Sequence, residues 1–159
     1  MAGAGIGQVP AGERAVTAAA AARFGGVRQD VGMKLRYPCV CCGHLTMDKA
    51  PGSYQICPVC FWEDDDVQLR WPDWAVGANR TSLIEAQQNF QDYGACDEGV
   101  LEHVRPPEDG ESLDTSWRPI DPERDHFEPR GVQLAAWPGD RTFLYWWRYR
   151  NTGFWRPAG

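Results

Sequence analysis

One stretch of the chain repeats apolar residues at spacings of three and four: Leu83, Ala86, Phe90 and Tyr93. That is the period of a helix with a single buried stripe. Ser82 and Glu85 form a capping box, in which each side chain meets a free N–H at the other position. Gly94 follows as a stop signal. The pattern predicts a helix from Ser82 to Tyr93. Asp97 to Val104 predicts a second short helix, ended by Pro106-Pro107. After Gly131 the period changes. Val132 to Trp137 and Arg141 to Arg150 read as two strands joined by Pro138-Gly139-Asp140. In the second strand Phe143, Tyr145, Trp147 and Tyr149 alternate onto one face, and Leu144, Trp146, Arg148 and Arg150 onto the other. Met1 to about Gly26 is rich in glycine and alanine and has no apolar period. Within it Glu13 to Arg23 forms a helix only if docked.

Chemistry enters through cysteine. Cys39-Val40-Cys41-Cys42 and Cys57-Pro58-Val59-Cys60 are two C-x-x-C pairs, with 14 residues between Cys42 and Cys57. This spacing suits one tetrahedral Zn²⁺ held by Cys39, Cys42, Cys57 and Cys60 as a closed structural site. Between the pairs, Leu45-Thr46-Met47 and Tyr54-Gln55-Ile56 flank Lys49-Ala50-Pro51-Gly52-Ser53, which predicts a short hairpin. Knuckle, hairpin and knuckle outline a zinc ribbon. Disulfides are the rival reading, suited to secreted chains, and a redox C-x-x-C is another. Cys41 reads as a buried thiol near the site, with exchange for a neighbouring ligand as the alternative. His44 is a fifth candidate ligand or a hairpin surface residue. Cys96 reads as a free buried cysteine, with a catalytic thiol as the alternative.

Tyr37 to Thr46 resembles the opening of the bacterial cysteine-rich CPCC family, and Tyr54 to Asp65 resembles its second knuckle. Gly77-Ala78-Asn79, Ser82 to Phe90 and Tyr93 to Cys96 are also similar to that family. The likeness covers roughly residues 36 to 107, and Val40 stands where the family name calls for proline. The resemblance implies a small zinc-ribbon-like domain. It also implies a bacterial setting near toxin–immunity loci, and names no reaction.

The expected fold is therefore α+β: a small four-cysteine zinc ribbon packed on a capped helix, with a C-terminal antiparallel β-hairpin extension. The expected organisation is an arm over 1–35, the CPCC-like domain over 36–107, an irregular linker over 108–130 and the aromatic, arginine-rich hairpin over 131–159. A chain of 159 residues is long enough to bury a core, and its eight tryptophans demand one. No run of apolar residues is long enough to span a membrane. Reduced cysteines point to the cytoplasm.

Charge is uneven. Residues 1–37 carry net +3, residues 38–110 net −9 and residues 111–159 net 0. An acidic middle argues against phosphate binding and for a basic protein partner. Glu63, Asp64, Asp65 and Asp66 lack the spacing of a calcium loop and read as a solvated acidic edge or partner contact, joined by Trp146, Arg148 and Arg150 from the tail. The leading reading is a non-enzymatic interaction module with one structural zinc, of immunity or adaptor type. The alternative is a ribosome- or transcription-associated nucleic-acid accessory, supported by arginines beside aromatics. An enzyme using Asp125, His126 and Glu128, or Cys96, comes third, because no nucleophile or glycine-rich loop accompanies the histidine.

Overall fold

The computed structural model describes residues 34–148. The glycine- and alanine-rich arm up to residue 33, and Tyr149, Arg150, Trp155 and Arg156 of the tail, lie outside the described residues. Four short elements follow in order: helix α1 (Asp66–Arg70), helix α2 (Leu83–Tyr93), a 3-10 helix over Glu98–His103 and a second 3-10 helix over Arg141–Leu144.

α2 obeys its pattern. The Ser82 hydroxyl accepts from Glu85 N at 3.2 Å, the Glu85 carboxylate accepts from Ser82 N at 3.0 Å, and Gly94 closes the helix in the left-handed region at φ +84°. Leu83 and Ala86 are fully buried, and Phe90 packs against the core. The short helix after Asp97 is present as 3-10, capped by the Asp97 carboxylate.

The expected α+β ribbon is overturned: among the described residues there is no β-strand. Three isolated bridges take its place, Tyr37 with Met47, Ile56 with Glu63 and His44 with Leu113. The first two close across a C-x-x-C pair, not between the pairs. The predicted hairpin fails because side chains take the backbone donors that a ladder needs. Gln55 Oε1 accepts from both Asp48 N and Lys49 N at 3.0 Å, and Asp64 Oδ2 accepts from Ser53 N at 3.0 Å.

The C-terminal antiparallel β-hairpin is also absent. Leu144, Tyr145, Trp146 and Trp147 are all buried. A half-buried strand hides every second residue, so four consecutive buried side chains do not fit one. Asp140 starts the turn instead, its carboxylate accepting from Thr142 N at 2.9 Å and Thr142 Oγ1 at 2.7 Å, while Arg141 donates to the Pro138 carbonyl. The buried run joins the same core as Cys39, Cys60, Trp62, Leu69 and Leu83.

The segment expected as linker is a belt around that core. Leu45 N donates to Ser112 O, Asp114 N to Gly43 O, Trp117 Nε1 to Val40 O and Ile120 N to Gln87 Oε1. Trp146 Nε1 then reaches Arg118 O at 3.1 Å. Further along the chain Glu128 joins the core too: Arg70, fully buried, meets it at 2.5 and 2.8 Å and lies over the rings of Trp71 and Trp137. Burial alone would raise the Glu128 carboxyl, but Arg70 and the Leu134 and Ala135 amides hold it below its ordinary value.

Candidate metal centre

Each C-x-x-C pair is closed by the same two backbone bonds. Gly43 N donates to Cys39 O at 2.7 Å, and Cys39 N to His44 O at 2.8 Å. In the second pair Phe61 N donates to Cys57 O at 2.8 Å, and Cys57 N to Trp62 O at 2.9 Å. This tight turn drives the residue after each pair to positive φ, +79° at Gly43 and +67° at Phe61. Gly43 is doubly required, since a Cβ there would lie 2.5 Å from the Trp117 ring.

The two turns bring Cys39, Cys42, Cys57 and Cys60 together, with all four Sγ atoms within 4.8 Å of one another. Cys39 and Cys60 are 3.6 Å apart and Cys42 and Cys57 3.8 Å. A tetrahedron with metal–sulfur bonds of about 2.3 Å has sulfur–sulfur edges of about 3.8 Å. The donor set therefore fits a tetrahedral metal ion. Burial pushes the Cys39, Cys42 and Cys60 thiols up, while hydrogen bonds from the neighbouring thiols and Thr46 hold Cys57 down. Thr46 Oγ1 stands 3.2 Å from Cys57 Sγ, placed to donate to it. Four thiolates so close require a cation among them. All four cysteines are at most 1% exposed, so the protein fills the coordination sphere and leaves no face for substrate.

The remaining sequence candidates have definite places. Cys41 is buried but stands outside the four-sulfur group. His44 Nδ1 donates to Glu111 O at 2.8 Å, which makes it a strut between the first knuckle and the belt and not a ligand. Cys96 is buried with its amide on Cys60 O, and burial pushes its thiol up to about 12, so it is a weak nucleophile. His126 is exposed, while its neighbours Asp125 and Glu128 are held by Arg118 and Arg70.

The acidic run is not a solvated edge. Asp64 and Asp65 are each 3% exposed. Asp64 accepts from Ser53 N and Oγ, and burial pushes its carboxyl up. Asp65 Oδ1 caps α1 through Val67 N and Gln68 N, and its Oδ2 accepts from Ala78 N. Asp66 pairs with Arg141 at 2.8 Å. Glu63 is half-buried, and the Asn79 amide grips its backbone N–H and carbonyl. Trp146 is core, and Arg148 pairs with Asp114 while lying over Tyr145.

Two buried glutamines carry the polar framework unseen in the apolar pattern. Gln87 Nε2 donates to Val40 O inside the first knuckle. Gln68 joins Thr81 O and both amide groups of Asn79, and so fixes the exit of the second. Gln68 stands two residues before Arg70 in a run that the structure buries throughout, and nothing in the apolar pattern marked it.

No helix among the described residues is long and apolar enough to cross a membrane. No curated protein matches the chain. Residues 37–111 match the family model described as Cysteine-rich CPCC, a span running from the Tyr37 bridge through both knuckles, α1 and α2 to the Glu111 strut.

Proposed function

We propose that this protein is a non-enzymatic protein-interaction module built around one structural Zn²⁺, of the immunity or adaptor type, acting in a reducing compartment. The observation that carries the reading is the closed tetrathiolate: four buried sulfurs within 4.8 Å, with no coordination position left for chemistry. A tetrahedral four-sulfur site selects zinc or iron among common metals, and zinc needs no redox partner. The carboxylates that would flank His126 in acid–base chemistry, Asp125 and Glu128, are engaged in ion pairs with Arg118 and Arg70. Residues 34–148 carry eleven basic and twenty acidic side chains, a balance that favours a basic protein over nucleic acid.

Metal analysis of the purified chain tests the first half, with one zinc per chain expected and iron at that ratio overturning it. Affinity capture from the native host, beside a Cys57→Ser, Cys60→Ser control, tests the second. A single basic protein lost in the control is the expected result. Capture of RNA or ribosomal proteins would replace the reading with the nucleic-acid one.

A further inference from the structure

A cleft of about 190 Å³ opens between the second knuckle and the Glu98–His103 helix, walled by Ile56, Phe61 and Val100 and edged by Glu63, Asp97 and Arg80. We propose that this cleft docks a protein segment that presents an apolar side chain beside an arginine or lysine. The proposal rests on the interaction-module reading and names its surface.

Size comes first. Sites for drug-sized ligands or cofactors run to about 300–1,000 Å³. This cleft is smaller, suited to an anchoring side chain. Its wall is apolar and open to solvent: Ile56 is 48% exposed, and Phe61 and Val100 are half-buried beside it. Apolar residues gathered in one concave opening mark a contact surface more than a free face.

The residue at the wall is the second argument. The knuckle demands positive φ after its second cysteine, and Gly43 meets that demand cheaply in the first pair. In the second pair the same position is Phe61, where the left-handed backbone costs about 1–2 kcal/mol relative to glycine. Only part of the ring meets the core: it is half-buried, stacked on the exposed His103 at 5.1 Å, and lines the cleft. Strain held at an accessible ring is the pattern of a binding site.

Charge names the partner. The Glu63 and Asp97 carboxylates edge the cleft, and Glu98 and Glu102 lie exposed on the adjoining 3-10 helix. None of the four makes an ion pair among the described residues, whereas Glu108, Glu111, Asp114 and Asp125 elsewhere all do. Arg80, the one cation at the edge, is exposed and makes none either. The Asn79 amide fixes the Glu63 backbone on both sides, so this acid is set before any partner arrives.

The test uses the full metal-loaded chain and a fluorescein-labelled peptide of alternating arginine and leucine, read by anisotropy. Saturable binding is expected, weakened about tenfold or more by Phe61→Gly and by the double reversal Glu63→Lys, Asp97→Lys. Phe61→Gly removes the wall and relieves the backbone, and its urea midpoint, measured beside binding, separates lost contact from lost folding. Equal binding of an arginine–serine peptide, no binding of the arginine–leucine peptide, or binding indifferent to Phe61→Gly would each overturn the proposal. Tighter binding of single-stranded DNA through the same residues would overturn it too. If a captured host protein still binds Phe61→Gly, the module reading stands and the cleft reading falls.

Discussion

The two knuckles are copies in backbone and opposites in setting. Both close with an amide four residues past the first cysteine, and both force that residue to positive φ. The first then vanishes inside: Trp117 covers Gly43, Gln87 and Trp117 hold the Val40 carbonyl, and the belt binds Gly43, His44 and Leu45. The second keeps a strained aromatic at an open cleft. The C-x-x-C closure therefore dictates turn geometry, while the surroundings decide which residue occupies the turn. Glycine stands where a neighbour presses from outside, and phenylalanine where there is room.

The largest effect should ignore this difference. Cys→Ser at 42 or at 57 removes one ligand from the same ion, and structural zinc contributes about 10 kcal/mol or more to folding in small metal-nucleated domains. Both variants should lose stoichiometric metal and near-ultraviolet circular dichroism alike, whereas Cys41→Ser should keep both. Collapse of Cys41→Ser to the same degree would mean that the fourth ligand is misassigned.

Next in size is a substitution that only one knuckle feels. Gly43→Ala meets a forbidden φ and the Trp117 ring together, and should cost about 3 kcal/mol by summing backbone strain and overpacking. Urea unfolding with metal bound would measure it. A loss under about 1 kcal/mol would show that the Trp117 cover can shift freely.

The comparison also explains what was legible beforehand. Cysteine spacing fixes chemistry through covalent geometry, so Cys39, Cys42, Cys57 and Cys60 could be assigned from four letters. Ser82, Glu85 and Gly94 act within a single turn of chain and were equally readable. Reading failed where side chains replaced backbone pairing. Gln55, Asp64 and Asp140 take amide donors locally, and no alternation rule registers that. The acidic run failed for a related reason: charge suggests solvent, but Asp64 and Asp65 lie inside because backbone amides meet their oxygens. The aromatic run from Tyr145 to Trp147 mimics a strand in sequence and is core on every side.

A smaller effect depends on pH and spans both knuckles. Glu111 braces the first knuckle through its backbone carbonyl on His44. Its carboxylate accepts from both terminal nitrogens of Arg105, whose amide donates to Pro58 O in the second. Arg105 holds that carboxyl at about 2, well below its ordinary value of 4.5. A depressed carboxyl contributes stability that is full above the unfolded value and lost as pH falls through the folded one. Because Arg105 is partly exposed, Glu111→Gln should cost only about 1–2 kcal/mol at neutral pH. The gap between wild type and variant should close as pH falls from about 4.5 toward 2. Unfolding curves at stepped pH would read it, and a gap independent of pH would remove the ion pair from the account.

The smallest stability effect sharpens the comparison most. Phe61→Gly gives the second knuckle the residue of the first. It releases left-handed strain of about 1–2 kcal/mol, and forfeits glycine's extra chain entropy of about 0.5–1 kcal/mol. It also forfeits the contact with His103 and the ring's packing against the core, both modest because the ring is only half-buried. These terms offset, so the urea midpoint should move little in either direction. A loss above about 2 kcal/mol would make Phe61 a core residue in all but exposure, and its ring would then need no partner to explain it. Near-neutral stability would leave the opposite situation: a strained aromatic that folding does not require, in a cleft edged by Glu63 and Asp97, which make no ion pair among the described residues. Under that outcome the asymmetry between the knuckles is a property of the cleft, and the metal centre serves to hold that ring in place.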